Sequence, residues 1–136
     1  MVKVLQDIWI LSESGIVLYS RVFNPKVNEQ LFGALMTALN SFATELAKGG
    51  LSNFELSSIR FTIYKDKGYL FVANSAKNVK EKKVQDELKI IAEKFFDKYS
   101  DVLASWDSDV NVFVNFNEDI EDSLEDTIKK FQKAFW

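Results

Sequence analysis

The sequence predicts an α+β fold in which five strands form a mostly antiparallel sheet between layers of helices. Two pairs of β-rich runs are each joined by a short loop that contains a glycine, Gly15 or Gly68, and such loops are typical of hairpins. Three other segments repeat their apolar residues every three to four positions, as amphipathic helices do. The first run includes residues 8–11, which lack polar alternation, and this indicates a strand covered on both faces. Helices must then lie on both sides of the sheet.

The composition is that of a densely packed domain without catalytic side chains of the usual kind. The chain has 136 residues, 47% of them hydrophobic, and it contains no Cys and no His. This length fits a single domain, residues 1–136, with a core that needs no disulfide or metal. The missing residue types are the usual nucleophile, general base and transition-metal ligands. We therefore expect a protein that is not an enzyme and that holds no metal or cofactor.

The charge and hydropathy patterns exclude two further classes of partner. Seventeen basic and twenty acidic residues give a net charge of -3, and no basic stripe is present that could neutralise phosphates, so we expect no nucleic-acid binding. The apolar run at the start is too short for a signal sequence, and no span reaches the roughly 18 apolar residues of a transmembrane helix. We expect a cytoplasmic protein that is at most peripheral to membranes, through its partners.

The first hairpin is predicted from residues 5–11 and 16–23, with residues 12–15 as its loop. Because the first of these strands is apolar on both faces, we place it in the middle of the sheet. Further strands are predicted at residues 54–57, 59–64 and 69–73, and the last two form the second hairpin.

The first helix, predicted over residues 27–47, carries more apolar surface than one contact needs. Its apolar residues cover an arc of roughly 200°, whereas about 100° suffices for a stripe that faces a core. We expect one side of the arc to pack on the fold. The other side has no obvious partner within the chain and consists of Phe32, Met36, Leu39 and Ala43. This excess indicates binding rather than chemistry.

Two more helices are predicted in the second half of the chain. From Lys80 onward the apolar residues have the helical period, and they form one stripe of Val84, Leu88, Ile91, Phe95, Tyr99 and Val102. A last helix is predicted from Phe116, with acidic residues in its first turns and lysines in its last turns, as the helix dipole favours. Its apolar face consists of Ile120, Leu124, Thr127, Phe131, Ala134 and Phe135.

One stretch has the ligand spacing of a calcium-binding loop. Asp107, Asp109, Asn111, Asn115 and Glu118 occupy positions 1, 3, 5, 9 and 12 of an EF-hand. Position 6 needs glycine for a sharp turn, but here it is Val112. We therefore expect no calcium binding, and we interpret Val110, Val112 and Val114 as a buried extended segment.

Two features near the end of the chain have simple interpretations. The carboxylates of Asp119 and Asp122 are interpreted as a solvated helix start rather than as an acid–base pair, since no nucleophile or oxyanion donor accompanies them. Trp136 fits either a frayed end or a contact with a partner.

Several of these segments together resemble a longin domain. The resemblance lies in IWIL at residues 8–11, IVLY at 16–19, IRFTIY at 59–64, YLFVA at 69–73 and FFDKY at 95–99, and it extends over about residues 3–131. Roadblock domains are similar, but they begin with a helix before the first hairpin. The resemblance implies a profilin-like α-β-α sandwich with strand order 2-1-5-4-3, with one helix on one face and two on the other.

The longin resemblance also implies a function in membrane-trafficking machinery. Longin domains regulate SNAREs, build adaptor and tethering complexes, and pair as platforms that bind or activate small GTPases. We therefore expect a non-enzymatic interaction domain whose partner is a second longin or roadblock domain, a homodimer included, a small GTPase, or a SNARE-like segment. The alternative is a small-molecule sensor of the PAS or profilin-like kind, although the sequence shows no run of convergent polar groups to orient a ligand.

The partner is expected to dock beside the third strand, an edge in the strand order that the resemblance implies. The free N–H and C=O groups of this edge strand can pair with another strand. The predicted partner-binding residues are Phe32, Met36, Leu39, Ala43, Phe54 and Leu56. The substitution Met36→Asp or Phe32→Asp is expected to abolish association and to leave the monomer folded. The alternative is that a loop or the chain's own terminus covers this face.

Overall fold

A computed structural model of the chain describes residues 5–22, 28–46, 52–56, 59–105 and 110–120. The strands of its sheet are β1 (Asp7–Leu11), β2 (Val17–Arg21), β3 (Asn53–Leu56), β4 (Ile59–Asp66) and β5 (Tyr69–Ala76). They pair in the order β2-β1-β5-β4-β3, and every pair is antiparallel. This confirms the predicted sheet, with β1 inside it and β3 at an edge.

Helices cover both faces of the sheet, as predicted. They are α1 (Glu29–Leu46), α2 (Glu81–Ala104), a 3-10 helix (Val110–Phe116) and α3 (Asn117–Ile120). Met36 of α1 packs on one face, against a cluster that includes Trp9 and Val72. The later helices pack on the other face, against a cluster that includes Ile8 and Phe71. The last predicted helix is described only to Ile120, so Leu124, Thr127, Phe131, Ala134, Phe135 and Trp136 lie outside the described residues.

The core on the α2 face is centred on Phe95. The predicted stripe is buried from Val84 to Tyr99, while Val102 is half-buried. The Phe95 ring lies 5.9 Å from that of Phe71 in the sheet and 5.4 Å from that of Phe116, both at steep angles. Such edge-to-face pairs add stability beyond the area that they bury. The contacts therefore join α2, the sheet and the 3-10 helix into one core.

Two glycines make the hairpin loops possible. Gly15 has φ +91° and Gly68 has φ +84°, a region of backbone conformation that L side chains rarely adopt. In the first loop, the Gly15 N–H donates to the Ser12 carbonyl oxygen at 3.0 Å. The two hairpins predicted from these glycines are confirmed.

The segment after α2 corrects one expectation. Val110, Val112 and Val114 were expected in a buried extended segment, but this stretch is a 3-10 helix, and Val112 and Val114 are exposed. Because a 3-10 helix repeats every three residues, Phe113 and Phe116 share one side and are the buried residues. Asp107 and Asp109, the first ligands of the EF-hand spacing, lie outside the described residues.

Candidate functional site

Gly33 determines how α1 lies on the sheet. A Cβ atom at this position would collide with the carbonyl oxygen of Gly15 and would lie only 2.8 Å from Cγ2 of Val17. Glycine therefore lets α1 approach the first hairpin more closely than any other residue would. This contact directs one side of the helix towards the sheet and the opposite side towards solvent.

The first turn of α1 is tied to the edge of β2 by a side-chain amide. The Val17 N–H donates to Oε1 of Gln30 at 3.0 Å, and Nε2 of Gln30 donates to the Val17 carbonyl oxygen at 3.3 Å. Asn28 caps the same turn, because its Oδ1 accepts from the N–H groups of Gln30 and Leu31. These bonds and the Gly33 contact fix the rotation of α1 about its axis.

That rotation buries Met36 and leaves Phe32 half-buried, and both were predicted to bind a partner. Met36 is only 1% exposed and belongs to the core on the α1 face. The ring of Phe32 stacks on that of Trp9, with 4.3 Å between centroids. The expectation that Phe32 and Met36 lack a partner within the chain is therefore wrong. The physical reason is the close contact of Gly33 with the first hairpin. This contact orients the side of the helix that carries Gly33 and Met36 towards the sheet.

The same rotation exposes the other side of the apolar arc. We call this surface the outward stripe: Leu31 (64% exposed), Leu35 (53%), Leu39 (37%), Phe42 (67%) and Leu46 (74%). Isolated exposed apolar residues are common, but a contiguous row of large ones is typical of an interaction surface. The excess apolar surface predicted for this helix is present, and Leu39 belongs to it.

An aromatic row links α1 to the edge strand β3. The ring of Phe54 in β3 stacks on that of Phe61 in β4 at 4.8 Å, and Phe61 lies 6.1 Å from Phe32. The structure thus brings Phe32 and Phe54 together through Phe61, a residue that the prediction missed. Period-2 alternation along β4 could have identified it, since Phe61 and Ile63 face α1.

The remaining predicted partner-binding residues lie near this row or outside what can be described. By helical spacing Leu39 and Ala43 lie close to the line of Phe32; Leu39 is at the border of the outward stripe, and Ala43 is half-buried. Leu56 lies in β3, but its side chain is outside the described part of the structure. Partner binding by Leu39, Ala43, Phe54 and Leu56 stays a prediction.

The opposite face of β3 carries a charged cluster instead of aromatic rings. Glu55 forms two ion pairs: its Oε2 lies 3.0 Å from Nζ of Lys77, and its Oε1 lies 3.3 Å from Nε of Arg60. The hydrogen bond from Lys77 first, and that from Arg60 second, hold the pKa of Glu55 below its ordinary value of 4.5. Arg60 also donates to the carbonyl oxygens of Val79 and Lys77. The cluster ties the loop after β5 to the edge of the sheet.

The described residues contain no other site that points to chemistry. Among them, no group of three or more His, Cys, Asp or Glu side chains could hold a metal ion. None of the described helices has the length and hydropathy needed to cross a membrane.

A recess of about 400 Å³ lies between β2 and the 3-10 helix, lined by apolar residues and by Tyr19, Ser20, Arg21 and Asn111. The alternative of a small-molecule sensor stays a prediction.

Comparisons with solved structures reproduce the fold. A Roadblock/LC7 domain from Streptomyces avermitilis has a TM-score of 0.58 at 15% identity, and the match covers 71% of this chain and 87% of that one. The gliding protein MglB from Thermus thermophilus has a TM-score of 0.50 at 14% identity, with 61% and 70% covered. At these identities the likeness shows the fold alone. Curated protein sequences give no match.

Comparison with protein families is more specific. The model of the first longin domain of FUZ, MON1 and HPS1 matches residues 6–100, from the loop before β1 to the last turns of α2. This span is well over half of the chain and contains the whole sheet and α1. The chain therefore belongs to the family of first longin domains of FUZ, MON1 and HPS1.

Proposed function

We propose that the chain is a non-enzymatic interaction domain that binds a second longin-type or roadblock-type domain through the outward stripe. The single observation that carries the proposal is this row of five large apolar side chains in contact with water. Fully covering one such side chain is worth about 1.5–3 kcal/mol. A partner that covers the row would therefore gain affinity from each residue, while the isolated domain gains nothing from their exposure. Family membership supports a protein-interaction role of this kind.

The free edge of β3 supports the same proposal. Only β4 pairs with β3 in the described sheet, so the outer N–H and C=O groups of β3 can pair with a further strand. The aromatic row of Phe32, Phe61 and Phe54 connects this edge with α1. A partner domain that brings its own helix and edge strand would meet both features at once.

We further propose that the resulting pair acts in membrane trafficking by binding a small GTPase or a SNARE-like segment. Support for this finer step comes from the family and from the longin resemblance. Such a role places the chain in the cytoplasm, with membrane contact through its partners.

Affinity capture from native lysate with quantitative mass spectrometry tests the proposal. We compare the wild type, Leu35→Asp in the outward stripe and the matched control Ile90→Asp, an exposed position on α2. Longin, roadblock or small-GTPase proteins should be enriched on the wild type and on Ile90→Asp, and they should be lost from Leu35→Asp. The proposal is wrong if Leu35→Asp retains the same proteins while circular dichroism shows the three domains equally folded.

A further inference from the structure

The recess between β2 and the 3-10 helix has the size of a small-molecule site. Residues of β2 form one wall, and Val110, Asn111 and Val114 form the other. Because a 3-10 helix repeats every three residues, Asn111 and Val114 share one side, apart from the buried Phe113 and Phe116. The volume of about 400 Å³ lies near the lower end of the range for ligand sites. The recess therefore suits a small ligand.

Part of the lining of this recess belongs to the packed core. Leu18 and Tyr19 are buried, and the ring of Tyr19 meets that of Phe116 edge to face, with 5.4 Å between centroids. Val114, in contrast, is 64% exposed. A ligand would thus meet a surface that is already formed, which lowers the cost of binding. It would also remove an apolar side chain from water, which stabilises the complex.

Arg21 gives the recess its charge. Residues two apart on a strand share a face, so Arg21 follows Tyr19 on the side where the 3-10 helix packs. Among the described residues that line the recess, only Arg21 is charged at neutral pH. The planar guanidinium group of arginine can bind a carboxylate through two parallel hydrogen bonds. Ser20 and Asn111 add a hydroxyl and an amide to the same lining.

We propose that the recess binds a free monocarboxylic acid with a short aliphatic chain. The carboxylate pairs with Arg21, and the aliphatic chain lies against Val110 and Val114. A dicarboxylate or a phosphate dianion would bring a second negative charge, for which the described lining holds no second cation. The apolar part of the lining favours an aliphatic chain over a polar one. A small acid with one charge fits both halves of the site.

The surroundings of the recess favour a free acid over the carboxyl end of a peptide. A peptide would gain affinity by pairing its backbone with β2, but Gln30 already occupies the N–H and the C=O of Val17. The recess lies beside β2, at the edge of the sheet farthest from β3. Its second wall, the 3-10 helix, packs on the face opposite α1. The site therefore goes beyond the proposed function and leaves the outward stripe open.

NMR titration of the isotope-labelled chain with hexanoate tests the proposal. The backbone amides of residues 18–21 and 110–114 should shift in a saturable way. Hexanamide has nearly the same shape without the charge, and it should bind at least about 10-fold more weakly, the effect of losing a hydrogen bond to a charged group. Unchanged recess amides would overturn the proposal, and so would equal binding of hexanamide. Tighter binding of acetyl-glycyl-leucine than of hexanoate would assign the recess to a peptide end and overturn the free acid.

Three variants test whether the acid binds at this place. Arg21→Gln should weaken hexanoate binding by at least about 10-fold. Val114→Glu places a carboxylate in the recess and should abolish binding. Val112→Glu, at an exposed position of the same helix that does not line the recess, is the matched control and should bind as the wild type does. Circular dichroism verifies that the variants are folded, and wild-type affinity in a folded Val114→Glu variant would overturn the proposal.

Discussion

Gly33 of α1 lies directly against the carbonyl oxygen of Gly15, so that the helix and the first hairpin touch backbone to backbone. Gly15 has the positive φ that its loop requires, and its carbonyl therefore has little freedom to move away. A turn residue in one element thus decides which side of another element faces water. The outward stripe is a consequence of this contact.

Gly33→Ala should destabilise the domain by about 1–3 kcal/mol, the usual cost of forcing extra atoms into a packed contact. The sign of this change in stability is informative, because alanine in place of glycine usually stabilises a helix by about 1 kcal/mol. Urea denaturation followed by circular dichroism measures the change. Ser41→Ala, at an exposed position of the same helix, is the matched control and should shift stability by less than about 0.5 kcal/mol. A more stable Gly33→Ala variant would show that the contact is absent.

Met36→Asp should unfold the domain, whereas Leu35→Asp should leave it folded. The two residues are neighbours in sequence, but Met36 is 1% exposed and Leu35 is 53% exposed. A buried carboxylate loses its hydration without gaining a partner, and truncating a buried Met alone costs about 2–5 kcal/mol. Thermal denaturation of the two variants at low protein concentration separates these outcomes. A cooperative transition of wild-type midpoint for Met36→Asp would contradict the placement of α1.

Phe95→Ala should cost about 3–5 kcal/mol, the range for a large aromatic residue removed from a core. Phe95 is fully buried and its ring is close to those of Phe71, Phe113 and Phe116. Ile90→Ala, on the exposed side of the same helix, is the control and should change stability little. The measurement is chemical denaturation. Equal effects at the two positions would contradict the described packing of α2.

Glu55 should make stability fall in acid. Because its pKa in the folded protein lies below the ordinary value of 4.5, its contribution is fully present above pH 4.5 and is lost as pH falls through the lowered pKa. Glu55→Gln should remove this part of the pH dependence. The check is the difference in denaturation midpoint between wild type and variant, above and below pH 4.5. The carboxylate is exposed, so high salt should reduce the difference; a difference independent of pH would contradict the ion pairs.

Local patterns could predict most of this fold. Gly15 and Gly68 mark the two hairpins, and the period of the apolar residues from Val84 to Tyr99 identifies both α2 and its buried side. These signals depend on neighbours in sequence. The order of the strands followed from the longin resemblance rather than from any single residue.

The orientation of α1 could not be predicted in the same way. A pattern of polar and apolar residues assigns Gly33 and Gln30 to the solvent side, yet Gly33 contacts Gly15 and Gln30 bonds to Val17. Both contacts join residues far apart in the chain, and a helical pattern contains no information about them. The size of the apolar surface was therefore predicted correctly, while the side that remains open was not.

The amide of Gln30 has a consequence for the size of any assembly. By occupying the N–H and the C=O of Val17, this amide blocks strand addition at that point of β2. The 3-10 helix also packs beside β2, through the contact of Phe116 with Tyr19. Open strands at both edges of a sheet would allow chains to add one after another into a fibre. With β2 protected, growth by strand pairing at β3 uses up the only open edge of each chain within the described sheet. A sheet extended in this way ends at two chains, and any further growth has to use another surface of the domain, such as the outward stripe.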